Sequence, residues 1–432
     1  MNTGRLVPNG IREAVRELSH VHGPVAAALL LFSTACFPLA PTLLPAAAVG
    51  GFIAMAWHHR HDRERTSTGL WSSPLPYAIA LYLLHVVGMA WSTNVDFGLF
   101  DLGIKAPLLL LPALTLWIGR KWWCGREPLF FVFCVANAVA VVLCIAAAVI
   151  RIARNGGADA GQQVFSSPWS LFLHPSYFAM YLVTGLVAWC LLSLPRSLPR
   201  WLFRLVLVVL CVGVVLCGSK VGWLLLLALL PVVLALRWSD RTLRRTLIGM
   251  MGISLIGLFA LVGTSRYALD RVQEVWRAAT ERDHDSKAQT SSEVRWLTWD
   301  SAWRLFKERP LSGTGTGDIK DELVRDYIAH DFTTAAEHRL NAHDQFLQTA
   351  ACLGIPGAML ILAMVVLPLL ARGRRDALTT LFLLICAVNW VVESMLEVQA
   401  GAVFFAYFAS VVLWSGPMER SSPPPTRPMV SA

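Results

Sequence analysis

Long apolar runs alternate with short polar breaks along most of the chain, and one polar stretch interrupts the alternation. Apolar runs lie near residues 24–39, 41–57, 74–91, 104–119, 128–151, 172–194, 201–217, 220–236, 246–263, 345–371, 376–393 and 400–415. Most approach the ~20 residues that carry a helix across ~30 Å of hydrocarbon. They do not alternate with period two, so they read as helices and not as barrel strands. The pattern predicts an all-α polytopic membrane protein with about twelve transmembrane helices. The first two runs, separated by Pro38-Leu39-Ala40-Pro41, are short and can form a helical hairpin.

The interrupting stretch runs from about Thr264 to Asp344 and falls between the ninth and tenth runs. It carries twelve of the Lys and Arg residues and several Trp. Three helical pieces are expected in it. Ala268, Leu269, Val272, Val275, Trp276 and Ala279 recur at helical spacing, as do Trp296, Trp299, Trp303 and Phe306. Thr290 and Glu293 form a capping box for the second piece, and Pro310 ends it. The Trp stripe either lies on the membrane surface or packs on the spans. A third helix is expected around Ile319 to His330. The division that follows is 1–23 N-terminus, 24–263 spans one to nine, 264–344 loop, 345–415 spans ten to twelve, and 416–432 a disordered tail with Pro423-Pro424-Pro425.

Composition agrees, with 56% hydrophobic and 15% charged residues. The net charge of +9 does not call for nucleic acid. Basic residues such as Arg60, Arg126, Arg200 and Arg244 collect in alternate connections, while Asp96, Asp101, Glu393 and Glu397 fall on the other face. This positive-inside pattern places both termini in the cytoplasm and the long loop outside, which in a Gram-negative cell is the periplasm. Nine cysteines lie mostly inside apolar runs and form no disulfide or metal spacing. The first apolar run reads as an uncleaved span.

His343 stands where the loop meets the tenth run, beside Asn341, Asp344 and Gln345. It can act as base, donor or ligand near neutral pH. Arg295 opens the Trp helix and suits phosphate oxygens. Lys220 lies between two runs with almost no connection, a costly depth for a cation without a partner. Gly313, Gly315 and Gly317 either present N–H groups to an anion or form a plain turn. His174, before Pro175, opens the sixth run and can line the same cavity. Asp283-His284-Asp285 has a metal-diphosphate form, but sits in a connector.

Together these features resemble the O-antigen ligase and polymerase superfamily. The resemblance rests on Pro310-Leu311-Ser312-Gly313-Thr314-Gly315-Thr316-Gly317 and on a His-x-x-x-Leu-x6-Gly motif at His343, Leu347 and Gly354. It implies a GT-C-like glycosyltransferase of the inner membrane with its active site facing the periplasm. Its partners would be undecaprenyl-diphosphate-linked polysaccharide, lipid A–core oligosaccharide and membrane lipids, without nucleic acid. It implies catalytic roles for Lys220, Arg295 and His343, with Gly315, Gly317, His174 and Asn341 as candidate substrate contacts. No metal or cofactor is expected. Two positions depart from the family pattern: Lys220 stands where Arg is usual, and Asp344 where Asn is common. The alternatives are an O-antigen polymerase, a protein O-glycosyltransferase and, in another class, a lipid-linked sugar flippase. Transporters place ionisable groups within spans, whereas here they collect in the loop and at span ends.

Overall fold

A computed structural model of the protein describes residues 6–61, 70–119, 126–154, 169–192, 198–264, 269, 273, 276, 290–371 and 376–414. Among these residues there is no strand. The helices are α1 (Leu6–His22), α2 (Pro24–Leu39), α3 (Leu44–His58), α4 (Leu75–Gly88), α5 (Val95–Lys105), α6 (Pro107–Ile118), α7 (Arg126–Arg154), α8 (Pro175–Leu191), α9 (Arg200–Leu216), α10 (Lys220–Leu236), α11 (Arg241–Thr264), α12 (Ser291–Glu308), α13 (Ile319–Ala329), α14 (Thr333–Glu337), α15 (Gln345–Leu370), α16 (Ala377–Val392) and α17 (Gln399–Trp414). The architecture is that of a helical membrane protein. Val95–Ile118, Arg126–Arg154 and Gln345–Leu370 are long and apolar enough to cross a bilayer alone. Helices of 16 residues such as α2 and α16 measure only about 24 Å at 1.5 Å per residue.

The N-terminal segment forms α1, whose Ala14 and Leu18 are buried against α2 and α7. The run expected at 104–119 corresponds to α6, and the residues before it, expected as a loop with Asp96 and Asp101, form α5. Pro107 lacks an N–H and starts α6, while Lys105 closes α5 as a buried cation. Of the first expected loop helix, Leu269 and Trp276 are described, both helical and exposed. Its other positions, the Asp283-His284-Asp285 run and the C-terminal tail lie outside the described residues.

Helix α8 is buried on all faces from Tyr177 to Cys190, as an evenly apolar helix must be. Aromatic rings join it to its neighbours: Tyr181 stacks on Phe404 at 4.6 Å, and Phe37 meets Tyr181 at 5.6 Å. The Tyr181 hydroxyl donates to the Ala400 carbonyl at 2.7 Å, which answers the cost of burying a polar tip.

The loop is fixed to this core by an interlock of two glycine segments. Gly354 has φ +66° and kinks α15. The kink leaves carbonyls of the preceding turn without helical partners. Thr314 N donates to Ala351 O at 2.9 Å, Gly315 N to Cys352 O at 3.0 Å, and Ile355 N to Pro310 O at 2.7 Å. Gly313, at φ +66°, lets the two backbones touch: a Cβ there would lie 2.3 Å from Cys352 backbone atoms. A Cβ on Gly354 would lie 2.6 Å from the Leu311 carbonyl. Gly354→Ala is therefore expected to destabilise the protein by about 2–4 kcal/mol, from left-handed strain plus the clash. Thermal unfolding in detergent reads this; a variant that melts with the wild type would show that the interlock yields.

Candidate active site

His343 follows α14 through a short connection and has φ +50°. That conformation is uncommon for a residue with a Cβ and persists only where neighbours over-determine it. Three bonds do so. Asn341 Oδ1 accepts from His343 N at 3.0 Å, Thr298 Oγ1 donates to Ala342 O at 3.1 Å, and Trp299 Nε1 donates to His343 O at 3.3 Å. On the other side Asp344 caps α15, accepting from Leu347 N at 2.8 Å. The fixed backbone aims the imidazole at α16, where Nδ1 lies 2.9 Å from Glu393 Oε1.

Glu393 ends α16 and is 7% exposed. Its second oxygen lies 3.4 Å from Arg295 Nη2, and Arg295 Nε donates to Val392 O at 2.9 Å. Burial pushes the Glu393 carboxyl up. The hydrogen bond from His343, with the charges of His343, Arg295 and His174, more than reverses this and leaves it below the usual range. An ionised Glu393 can only accept, so Nδ1 carries the proton of this bond, and Nε2 is the nitrogen left without one in the neutral tautomer.

Lys220 is the first residue of α10, and its Nζ donates to Ser292 Oγ of α12 at 2.7 Å. A lysine at a helix N-terminus adds positive charge to the positive end of the dipole. An anion seated there would relieve that repulsion. Thr290 caps α12, accepting from Glu293 N. One departure from the expected box is local: the Glu293 carboxylate accepts from the Thr290 hydroxyl.

Lys220, Arg295, His343, Glu393 and His174 line one cavity of about 1170 Å³. His174 caps α8, its Nδ1 accepting from Ser176 N at 3.4 Å. The cavity continues along apolar Phe172, Leu173, Val221 and Leu224. It suits an anionic head followed by a hydrocarbon chain.

Other expected site residues lie elsewhere. Asn341 acts on the His343 backbone and does not line this cavity. Gly315 and Gly317 do not line it either. Their N–H groups go to Cys352 O and to Ser92 Oγ, so the glycine run is a wedge and not an anion cradle. The Trp residues of α12 do not form its buried stripe. The buried residues are Val294, Leu297, Thr298, Ser301, Ala302 and Leu305, while Trp296 is exposed on the cavity rim and Trp303 is exposed beside Phe306. Among the described residues no group of three or more His, Cys, Asp or Glu side chains is placed to hold a metal ion.

Glu393 was not singled out by sequence reasoning; the only cue was its place in an acidic pair with Glu397 between apolar runs. Asp101, read as a loop carboxylate, is instead 3% exposed, and Lys105 Nζ lies 2.5 Å from it and 2.7 Å from Glu397. Glu397 also accepts from Gln345 Nε2 at 3.2 Å, and Gln345 Oε1 accepts from Leu396 N at 2.6 Å. This chain of contacts braces the Glu393 connection against the first turn of α15.

Burial pushes the Asp344 carboxyl up to about 6, against backbone N–H bonds from Leu347 and Phe346. The folded protein thus holds this proton more tightly than the unfolded chain. The associated stability is full below pH ~4 and is lost as pH rises through about 6, a difference of about 3 kcal/mol. Asp344→Asn keeps a capping oxygen and removes the titration. Its thermal unfolding should match the wild type near pH 4 and exceed it at pH 8. An unchanged pH dependence would place the titration elsewhere.

Residues 205–362 match the profile of the family described as O-antigen ligase. No curated protein matches the chain. The matched segment runs from α9 into α15, contains Lys220, Arg295 and His343, and ends before Glu393. Over these residues the chain is similar to the O-antigen ligase family.

Proposed function

We propose that the protein is an O-antigen ligase that transfers polysaccharide from undecaprenyl diphosphate to lipid A–core oligosaccharide. The observation that carries this reading is the His343–Glu393–Arg295 chain facing Lys220 across one cavity with an apolar extension. The diphosphate sits against Lys220, Arg295 and the N-terminus of α10, and the prenyl chain follows the apolar wall. Neutralised there, the diphosphate leaves with the electron pair of the anomeric C–O bond. A hydroxyl of the acceptor forms the new C–O bond from the opposite face, with inversion, and gives its proton to His343 Nε2. Glu393 stabilises the resulting imidazolium. About twelve spans, cytoplasmic termini and a periplasmic loop over 264–344 complete the arrangement, with both amphiphiles reaching the site from the outer leaflet of the inner membrane.

The decisive experiment supplies purified protein with undecaprenyl-diphosphate polysaccharide and lipid A–core. The expected product is polysaccharide on lipid A–core with release of undecaprenyl diphosphate, at the same rate in excess chelator, because the cations that neutralise the leaving group belong to the protein. Lengthening of the lipid-linked chain with lipid A–core untouched would make it a polymerase. Movement of lipid-linked sugar across vesicles without either product would make it a flippase. Strict dependence on an added divalent ion would overturn the assigned role of Lys220 and Arg295.

A further inference from the structure

A second cavity lies on the other side of His343. Its volume is about 220 Å³, and it shares His343 with the larger cavity and no other residue. Phe97 and Phe100 of α5 form one wall, and Lys320 of α13 lies across it with Nζ 5.8 Å from the Phe97 ring. Asn341, Asp101 and Glu397 line it as well, the two carboxylates held by Lys105.

We propose that this smaller cavity seats the single sugar residue whose hydroxyl attacks, so that His343 is the wall between donor and acceptor. The inference rests on the transferase reading and adds to it the place and size of the acceptor subsite. Four observations lead to it. Lys220 and Arg295 line the larger cavity and not the smaller, whose own cations, Lys320 and Arg339, stand beside the carboxylates Asp101 and Glu397, with Arg339 paired to Asp321 at 2.6 Å, so the larger cavity is the one suited to a diphosphate. The smaller volume is below the roughly 300–1,000 Å³ that encloses a drug-sized ligand, which fits one ring and not a chain. Its lining is that of a carbohydrate subsite. Aromatic faces cover the C–H side of a pyranose, carboxylates accept from hydroxyls, and an amide both donates and accepts. A base that takes the nucleophile's proton must touch it, and His343 is the residue that both linings contain. Attack with inversion also requires nucleophile and leaving group on opposite sides of the anomeric carbon.

The test separates the two substrates kinetically. Phe100 is exposed and Lys320 half-buried, so Phe100→Ala and Lys320→Ala leave the core intact. Each is expected to raise the KM for lipid A–core about five- to tenfold, the worth of one stacking or charged contact, and to leave the donor KM where it is. Trp296→Ala, on the rim of the larger cavity, should do the reverse. Benzoylphenylalanine in place of Phe100 should cross-link lipid A–core and not the lipid-linked donor. An unchanged acceptor KM, a raised donor KM, or cross-linking of the donor overturns the subsite while transfer by the wild type stands. Absence of transfer by the wild type overturns the ligase reading and the subsite with it.

Discussion

Glu393→Gln is expected to slow transfer by about 100- to 10,000-fold, the span seen when the partner of a catalytic histidine or the base itself is lost. The carboxylate does three things that an amide does not. It fixes the Nδ1–H tautomer, it stabilises the imidazolium, and it holds Arg295 through its second oxygen. A glutamine can donate to Nδ1 and so move the ring proton to Nε2, where the acceptor hydroxyl needs a base. Donor binding should persist, because Lys220 and the N-terminus of α10 are untouched. His343→Ala should show the same loss with donor binding intact. Each variant is measured as initial rate with both substrates saturating, and donor binding by fluorescence of the cavity tryptophans. A Glu393→Gln enzyme within a fewfold of wild type would reduce the carboxylate to a packing partner.

Arg295→Ala and Lys220→Ala are each expected to cost about 2–4 kcal/mol of transition-state stabilisation, or about 30- to 1,000-fold in rate. The two positions should then diverge. Lys220 donates to Ser292 through its terminal nitrogen, and an arginine there supplies the same charge, so Lys220→Arg should recover much of the rate. Arg295 holds Val392 O through Nε and Glu393 through Nη2. A lysine has one nitrogen and cannot span both, so Arg295→Lys should stay slow. Full activity in both alanine variants, at unchanged membrane levels, would make these residues bystanders to the chemistry.

What could be read from the sequence follows from which interactions are local. Helix positions were legible because apolar periodicity and caps act within a turn or two: Thr290 caps α12, and the Ile319 helix stands where expected. Lys220, Arg295 and His343 were legible as charged or titratable groups at span ends, and they share a cavity. Glu393 was not, because its partners lie 50 and 98 positions away and nothing near it in the chain points to them. The glycine run was read for its N–H groups, which the structure does use. What the sequence could not say was whether their acceptor is an anion or, as found for Gly315, a kinked helix carbonyl. Lys105 and Asp101 were opaque for the same reason, since burial is a property of the assembly.

The interlock at Gly354 turns the His343-to-glycine spacing into a ruler. The kink is pinned to the Pro310–Gly315 backbone at one end, and the Asp344 cap fixes where the helix begins at the other. The intervening nine residues of α15, about 14 Å at helical rise, therefore set both the height and the facing of the imidazole. One residue inserted there would rotate His343 by about 100° about the helix axis, away from Glu393. In a working enzyme of this design the helical stretch between the histidine and the glycine tolerates no change of length.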